Sequence, residues 1–295
     1  MGAKYINIYY PRQDSGNYLF LPGMNIDGSA PIGIFDSGIG GLTVAQAIHR
    51  ELPNERLIYF GDTAHLPYGD KSAAAIQAYS IKITDRLISE GCKVIVIACN
   101  SASSAAYELL TEYSGTKAKI INVIDPMIEY VIEKYRNQRV GLIGTRQTIS
   151  SNIYQAKLKD SRSKIDLYSL ATPLLVPMIE EGFIHNKISH DIISEYMGDA
   201  GFRNISSMIL GCTHYPLIKD EIEKYFNNEV EILASSDIVA LDVKKYLESH
   251  NLLNTSSERN QPNKFLVSDF TRTFEASSKY FFGELIHLEQ FRLWE

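Results

Sequence analysis

The sequence predicts an α/β fold: two similar doubly wound lobes with mainly parallel sheets, and a candidate active site in the cleft between them. Three observations carry that prediction. Short apolar strands alternate with amphipathic helices along most of the chain. Val94 to Ala98 is a continuous apolar run, as expected where helices cover both faces of a parallel sheet. The second half repeats the first: Arg139-Val140-Gly141-Leu142-Ile143-Gly144-Thr145 mirrors Pro31-Ile32-Gly33-Ile34-Phe35-Asp36-Ser37, and Met208-Ile209-Leu210-Gly211-Cys212-Thr213-His214 mirrors Val96-Ile97-Ala98-Cys99-Asn100-Ser101.

Residues 1–30 are polar, hold no sustained period, and read as an N-terminal extension without catalytic content. Ile32 to Phe35 then form a strand that runs into the glycine turn Gly38-Ile39-Gly40-Gly41, and Val44, Ile48 and Leu52 mark the buried stripe of a helix. A strand at Leu57 to Phe60 leads to the loop Gly61 to Gly69. The next helix is capped by Ser72, buries Ile76, Ile83 and Leu87, and ends at Gly91 as a left-handed C-terminal cap. Val94 to Ala98 delivers Cys99 at its carboxyl end, and an Ala-rich helix runs to Leu110. In the second half, the strand at Met208 delivers Cys212, and a helix is expected from about Leu217 to Phe226. A helix from Ile238 to Leu247, a polar loop at 249–263, a strand at Phe265 to Val267 and a helix at Phe274 to Phe282 complete the chain and return it to the first lobe. The expected domains are therefore 31–126 plus 236–295, carrying Cys99, and 127–235, carrying Cys212.

Composition narrows the partners. The chain has 295 residues, 45% hydrophobic and 22% charged, with a net charge of −6, so it can bury real cores and has no polybasic footprint for nucleic acid. Three cysteines do not make a disulfide framework, and the N-terminus lacks the plan of a secretory signal, so a cytoplasmic location is expected. The longest apolar runs fall far short of the roughly 20 residues of a membrane helix, so no membrane partner is expected. Several signatures fail: Gly38 to Thr43 has Thr where a dinucleotide fingerprint needs its third glycine, no Cys-x-x-Cys exists, and His185 and His190 are wrongly spaced for a helical zinc pair. Neither a metal nor a cofactor is expected.

What remains is a pair of cysteines at the carboxyl ends of equivalent strands, where open parallel sheets bind ligands. Two sulfurs flanking one cleft suit a reaction in which a thiolate takes a proton from a carbon and a thiol returns one to the opposite face. A free thiol has a pKa near 8.5, which helix N-termini and cations lower to roughly 3.5 to 7.5. Both cysteines precede helices, whose dipoles are expected to favour the anion; the residues leave open which of them rests as thiolate. Cys99 is followed by Asn100 and Ser101, and Cys212 by Thr213 and His214, hydrogen-bonding residues that core packing does not require. Cys92 reads instead as a small buried hydrophobe. Asp36 either binds a substrate ammonium and orients a neighbouring acid-base group or caps the glycine turn, and His214 either serves the cysteine or stands as a capping histidine.

Taken together, Gly33 to Val44, Gly61-Asp62-Thr63 with Pro67-Tyr68-Gly69, Ala98-Cys99-Asn100, and Leu210-Gly211-Cys212-Thr213-His214-Tyr215-Pro216-Leu217 resemble the glutamate racemases of the aspartate/glutamate racemase superfamily. The resemblance implies a cofactor-independent isomerase that interconverts L- and D-glutamate and supplies D-glutamate for peptidoglycan and cell-wall biogenesis. It implies that Cys99 handles the α-proton of the D-enantiomer and Cys212 that of the L-enantiomer. Asp36 and Ser37, Tyr68 and Gly69, Asn100 and Ser101, and Thr213 and His214 would hold the amino acid, with Thr145 and Thr148 as a polar turn of the second lobe. Glu180 resembles a glutamate that assists the second cysteine, and the adjacent Glu181 could fill the same role. A homodimer is the expected assembly. Ser101 departs from the threonine usual in the family and keeps only its hydroxyl. Aspartate racemases are the nearest rival, but they carry Glu where this chain has His214 and lack the Pro67-Tyr68-Gly69 loop. Intact cysteine motifs oppose a catalytically silent binding module, and the broken dinucleotide fingerprint opposes a nicotinamide enzyme.

Overall fold

A computed structural model describes residues 27–256 and 261–295. The expected N-terminal extension lies outside the described residues up to position 26, as do positions 257–260 of the expected loop. Ten strands form among the described residues: β1 (Ile32–Asp36), β2 (Leu57–Gly61), β3 (Val94–Ile97), β4 (Lys119–Asn122), β5 (Arg139–Gly144), β6 (Asp166–Ala171), β7 (Ser207–Gly211), β8 (Glu231–Ala234), β9 (Lys264–Val267) and β10 (Glu289–Gln290). They build two wholly parallel sheets, in the orders β10-β9-β2-β1-β3-β4 and β6-β5-β7-β8. The expected α/β class and the internal repeat are both present: β5 to β8 take the places of β1 to β4, with the second strand of each half on one side of the first and the third and fourth on the other. In each sheet the order therefore reverses between the first and third strands, and such a reversal opens a crevice at their carboxyl ends.

The strands hold because they are buried on both faces. Every residue of β1, β2, β3 and β7 is buried, as parallel strands covered by helices require. The helix Leu42–Glu51 follows the glycine turn and buries Val44, Ala45 and Ile48, and its last turn carries His49 and Arg50 toward the negative end of its dipole. Ser72 caps the helix Ala73–Ser89 by accepting from the Ala75 N–H at 3.3 Å, and Gly91 leaves it with φ 76°.

The helix Ser235–Ser249 packs on Leu42–Glu51, β9 joins β2, and β10 joins β9, so this segment completes the first sheet. One boundary moves. The expected break at 126/127 falls inside the helix Ile124–Lys134, a continuous hydrogen-bonded unit, and the chain crosses to the second sheet only at the turn 135–138, where Asn137 adopts φ 60°.

Candidate active site

Four strand ends meet at one cavity. Ser37 follows β1, Cys99 follows β3, Thr145 follows β5 and Cys212 follows β7; all four line it, together with Gly38, Tyr68, Gly69, Asn100, Ser101, Glu180, Thr213 and His214. Asp36 and Thr148 stand behind these walls, and Leu66, Pro67 and Val176 add an apolar rim. The cavity is small, about 30 Å³, room for a water or two rather than a five-carbon amino acid. Across it the sheets are tied by Ser101 Oγ and Thr145 Oγ1 at 2.9 Å and by Thr43 Oγ1, which donates to the Thr213 carbonyl at 3.1 Å.

Cys99 is itself the N-cap of the helix Asn100–Ser114, its sulfur accepting from the Ala102 N–H at 3.4 Å. The helix thus begins at the residue directly after the sulfur's own and runs past Leu110 to Ser114. The expected lowering of this thiol does not follow, however. Burial and the neighbouring Asp36 carboxylate outweigh the Ala102 N–H and the Ser37 hydroxyl, and push Cys99 up to about 12. The helix expected from Leu217 behind Cys212 is also corrected: a 3₁₀ turn, Tyr215–Ile218, comes before a short α-helix at Lys219–Tyr225. Pro216 in that turn has no N–H to aim at an anion.

The partner of Cys212 is His214 instead, with Nδ1 3.8 Å from the sulfur and Nε2 3.0 Å from Glu180 Oε1. Burial alone lowers the basicity of an imidazole, but the Cys212 sulfur and the Glu180 carboxylate prevail and raise His214 to about 10. The line Cys212–His214–Glu180 therefore holds a cation beside the sulfur near neutral pH. Of the two glutamates left open by the sequence, Glu180 makes this contact and Glu181 is exposed. Gly40 makes room for the arrangement, since a Cβ there would lie 2.4 Å from the His214 ring and 2.7 Å from Thr213 Oγ1.

Asp36 is fully buried, and its Oδ2 accepts from the Gly38 and Gly41 amides at 3.1 and 3.0 Å, so it caps the glycine turn. Its Oδ1 faces Thr213 Oγ1 at 3.4 Å, which also brings it toward the second cysteine motif. Thr145 caps its short helix through the Thr148 amide, and Thr148 Oγ1 lies 3.1 Å from Thr145 Oγ1 behind the wall. Cys92 lies away from the cavity, buried against Gly33 and Leu87, and burial pushes its thiol up to about 12.

Sequence reasoning missed two supports. Tyr154 of the second lobe donates to Asn100 Oδ1 at 2.7 Å, leaving Asn100 Nδ2 buried without a partner among the described residues. Tyr59 donates to the Gly38 carbonyl at 2.8 Å and holds the glycine turn from below. Both read from sequence as ordinary core aromatics, and no periodicity would have singled them out. Among the described residues, no group of three or more His, Cys, Asp or Glu side chains is placed to hold a metal ion.

Comparison with known proteins agrees with this geometry. The profile of the Asp/Glu/Hydantoin racemase family matches residues 32–242. A glutamate racemase of Persephonella marina is 41% identical over 263 residues, 89% of this chain and 97% of its own. That of Chlorobaculum tepidum is 37% identical over 263 residues, 89% of this chain and 96% of its own. Among solved structures, glutamate racemase from Francisella tularensis in complex with D-glutamate superposes with a TM-score of 0.82 at 37% identity, covering 90% of this chain and 98% of that one. With the repeat, the crevice and the paired cysteine motifs in place, the chain belongs to the Asp/Glu/hydantoin racemase family.

Proposed function

We propose that this chain is a cofactor-independent glutamate racemase that interconverts L- and D-glutamate by proton transfer between the α-carbon and two cysteines, and that it supplies D-glutamate for peptidoglycan. One observation carries the reading: Cys99 and Cys212, at equivalent strands of two equivalent sheets, line the same cavity. Their surroundings differ: the His214–Glu180 pair stands beside Cys212, while burial and Asp36 keep Cys99 a thiol.

With L-glutamate bound, the Cys212 thiolate takes the α-proton, and the electron pair of the broken C–H bond delocalises into the α-carboxylate. The Cys99 thiol gives its proton to the opposite face, and D-glutamate forms. Cys99 is left as thiolate and Cys212 as thiol, the state from which the reverse reaction begins. The unpartnered Asn100 amide and the Ser37, Ser101, Thr145 and Thr213 hydroxyls are donors for the two substrate carboxylates. Tyr68 and Gly69 form the adjoining wall; Asp36 and Thr148 act through the groups in front of them. The narrow cavity must widen to admit substrate, by parting contacts such as Ser101–Thr145.

The same reading carries a homodimer in the cytoplasm; among the described residues, no helix is long and apolar enough to cross a membrane. Sedimentation tests the assembly. The activity is tested by incubating the protein with L-glutamate in deuterated water and no added cofactor, which should yield D-glutamate labelled at the α-carbon. Unlabelled substrate after prolonged incubation overturns the proposal, and L-aspartate in parallel decides the substrate.

A further inference from the structure

Asp62 is the most heavily bonded carboxylate near the cavity, yet it does not line it. Its side chain is completely buried. Tyr68 Oη donates to Oδ2 at 2.6 Å, while Ser268 Oγ and the Trp294 indole N–H donate to Oδ1 at 2.7 and 2.9 Å. His65 Nδ1 lies within 3.1 Å of both oxygens. These groups come from three remote stretches: the β2 loop, the end of β9, and the segment that follows β10.

Trp294 is firmly seated. Its ring meets His65 edge-on at 4.4 Å and Tyr79 at 5.4 Å, and the Lys82 ammonium lies 4.9 Å from its centroid. On the other side of Asp62, Tyr68 is fully buried and reaches the cavity. The next residue, Gly69, is packed so tightly on Thr145 that a Cβ would lie 2.8 Å from the Thr145 Cβ. A continuous contact path therefore runs from the indole through Asp62 and Tyr68 to the wall on the Cys99 side.

We propose that Trp294 is a positioning residue for racemisation: its indole N–H completes the donor set on Asp62, which fixes Tyr68 and Gly69 as the wall beside Cys99. The inference rests on the two-cysteine reading only for the enantiomer it predicts to be affected. Its observable is convenient, because Trp294 is the single tryptophan of the chain.

The experiment has two arms. In the wild-type protein, D-glutamate is titrated while the intrinsic fluorescence of Trp294 is followed. A saturable change is expected, and it should be lost in Tyr68→Phe, which cuts the link to Asp62. In Trp294→Phe, which keeps a ring but removes the N–H, kcat/KM should fall by about tenfold, the rate equivalent of one weakened charge-assisted bond. The α-deuterium isotope effect should rise for D-glutamate and stay unchanged for L-glutamate, a split that a general loss of stability would not produce. A silent indole in the wild type, a Trp294→Phe protein within twofold of wild type, or equal isotope changes for both enantiomers overturns the proposal. An isotope change confined to L-glutamate, with a responding indole, supports the positioning role and overturns the assignment of Cys99 to D-glutamate.

Discussion

Gly40→Ala places a methyl where the structure has no room for one. The added Cβ would stand 2.4 Å from His214 Cε1 and Nδ1, against a closest ordinary approach of about 3.4 Å. The helix Leu42–Glu51 begins just after Gly40 and its first turn is buried, so the backbone is poorly placed to give way. The imidazole must therefore retreat by roughly 1 Å, lengthening its contacts to Cys212 and Glu180 together. A misplacement of that size costs on the order of 10²-fold in rate, or about 2.7 kcal/mol of barrier. Racemisation followed by circular dichroism should show that loss in kcat for both enantiomers, because each turnover uses both cysteines. Thermal unfolding of the same preparation checks that the fold survives. A folded Gly40→Ala protein with more than a third of wild-type kcat would refute the claim that His214 must sit where it does.

Other expectations follow from the same geometry. Glu180→Gln removes the carboxylate that helps hold the proton on His214, so kcat should fall about tenfold and the alkaline limb of the pH–rate profile should move to lower pH. Tyr154→Phe frees Asn100 Oδ1 and should raise KM about fivefold, the equivalent of roughly 1 kcal/mol, with little change in kcat. Cys99→Ala and Cys212→Ala should each abolish racemisation, whereas Cys92→Ala should keep it and lose about 1 kcal/mol of stability through lost burial. Stability should also depend on pH. His214 is raised from 6.5 to about 10, so its stabilisation is complete below pH 6.5 and is lost as pH rises toward 10. Denaturant unfolding across that window should show the decline, and His214→Asn should flatten it.

Much of the fold was legible because its signals are local. Unbroken apolar strands, glycine turns and the Ser72 cap are written in contiguous residues, and the mirrored halves implied two similar lobes, whose matching strand orders the structure then supplies. The paired cysteines were legible for the same reason: each sits in a short motif at a strand end. What sequence could not supply was the balance of long-range terms. Helix dipoles taken alone would lower the thiols at both positions. Burial and Asp36 reverse that effect at Cys99, and the segment after Cys212 opens with a 3₁₀ turn containing Pro216 rather than with the expected helix. Nor could spacing reveal that Tyr154, 54 positions from Asn100, orients its amide, or that Trp294 reaches Asp62 across 232. A helix carries no local mark of which sheet it serves, so the sequence does not show that positions 126 and 127 share one continuous helix.

The two-sided proton transfer is tested most directly by a structure of the protein with bound glutamate, in which the distance from each sulfur to the α-carbon is measured. Both Sγ atoms are expected about 3 to 4 Å from that carbon, on opposite faces of the plane through its other three substituents. Two sulfurs on one face, or a Cys99 or Cys212 sulfur turned into a separate pocket, would contradict the account.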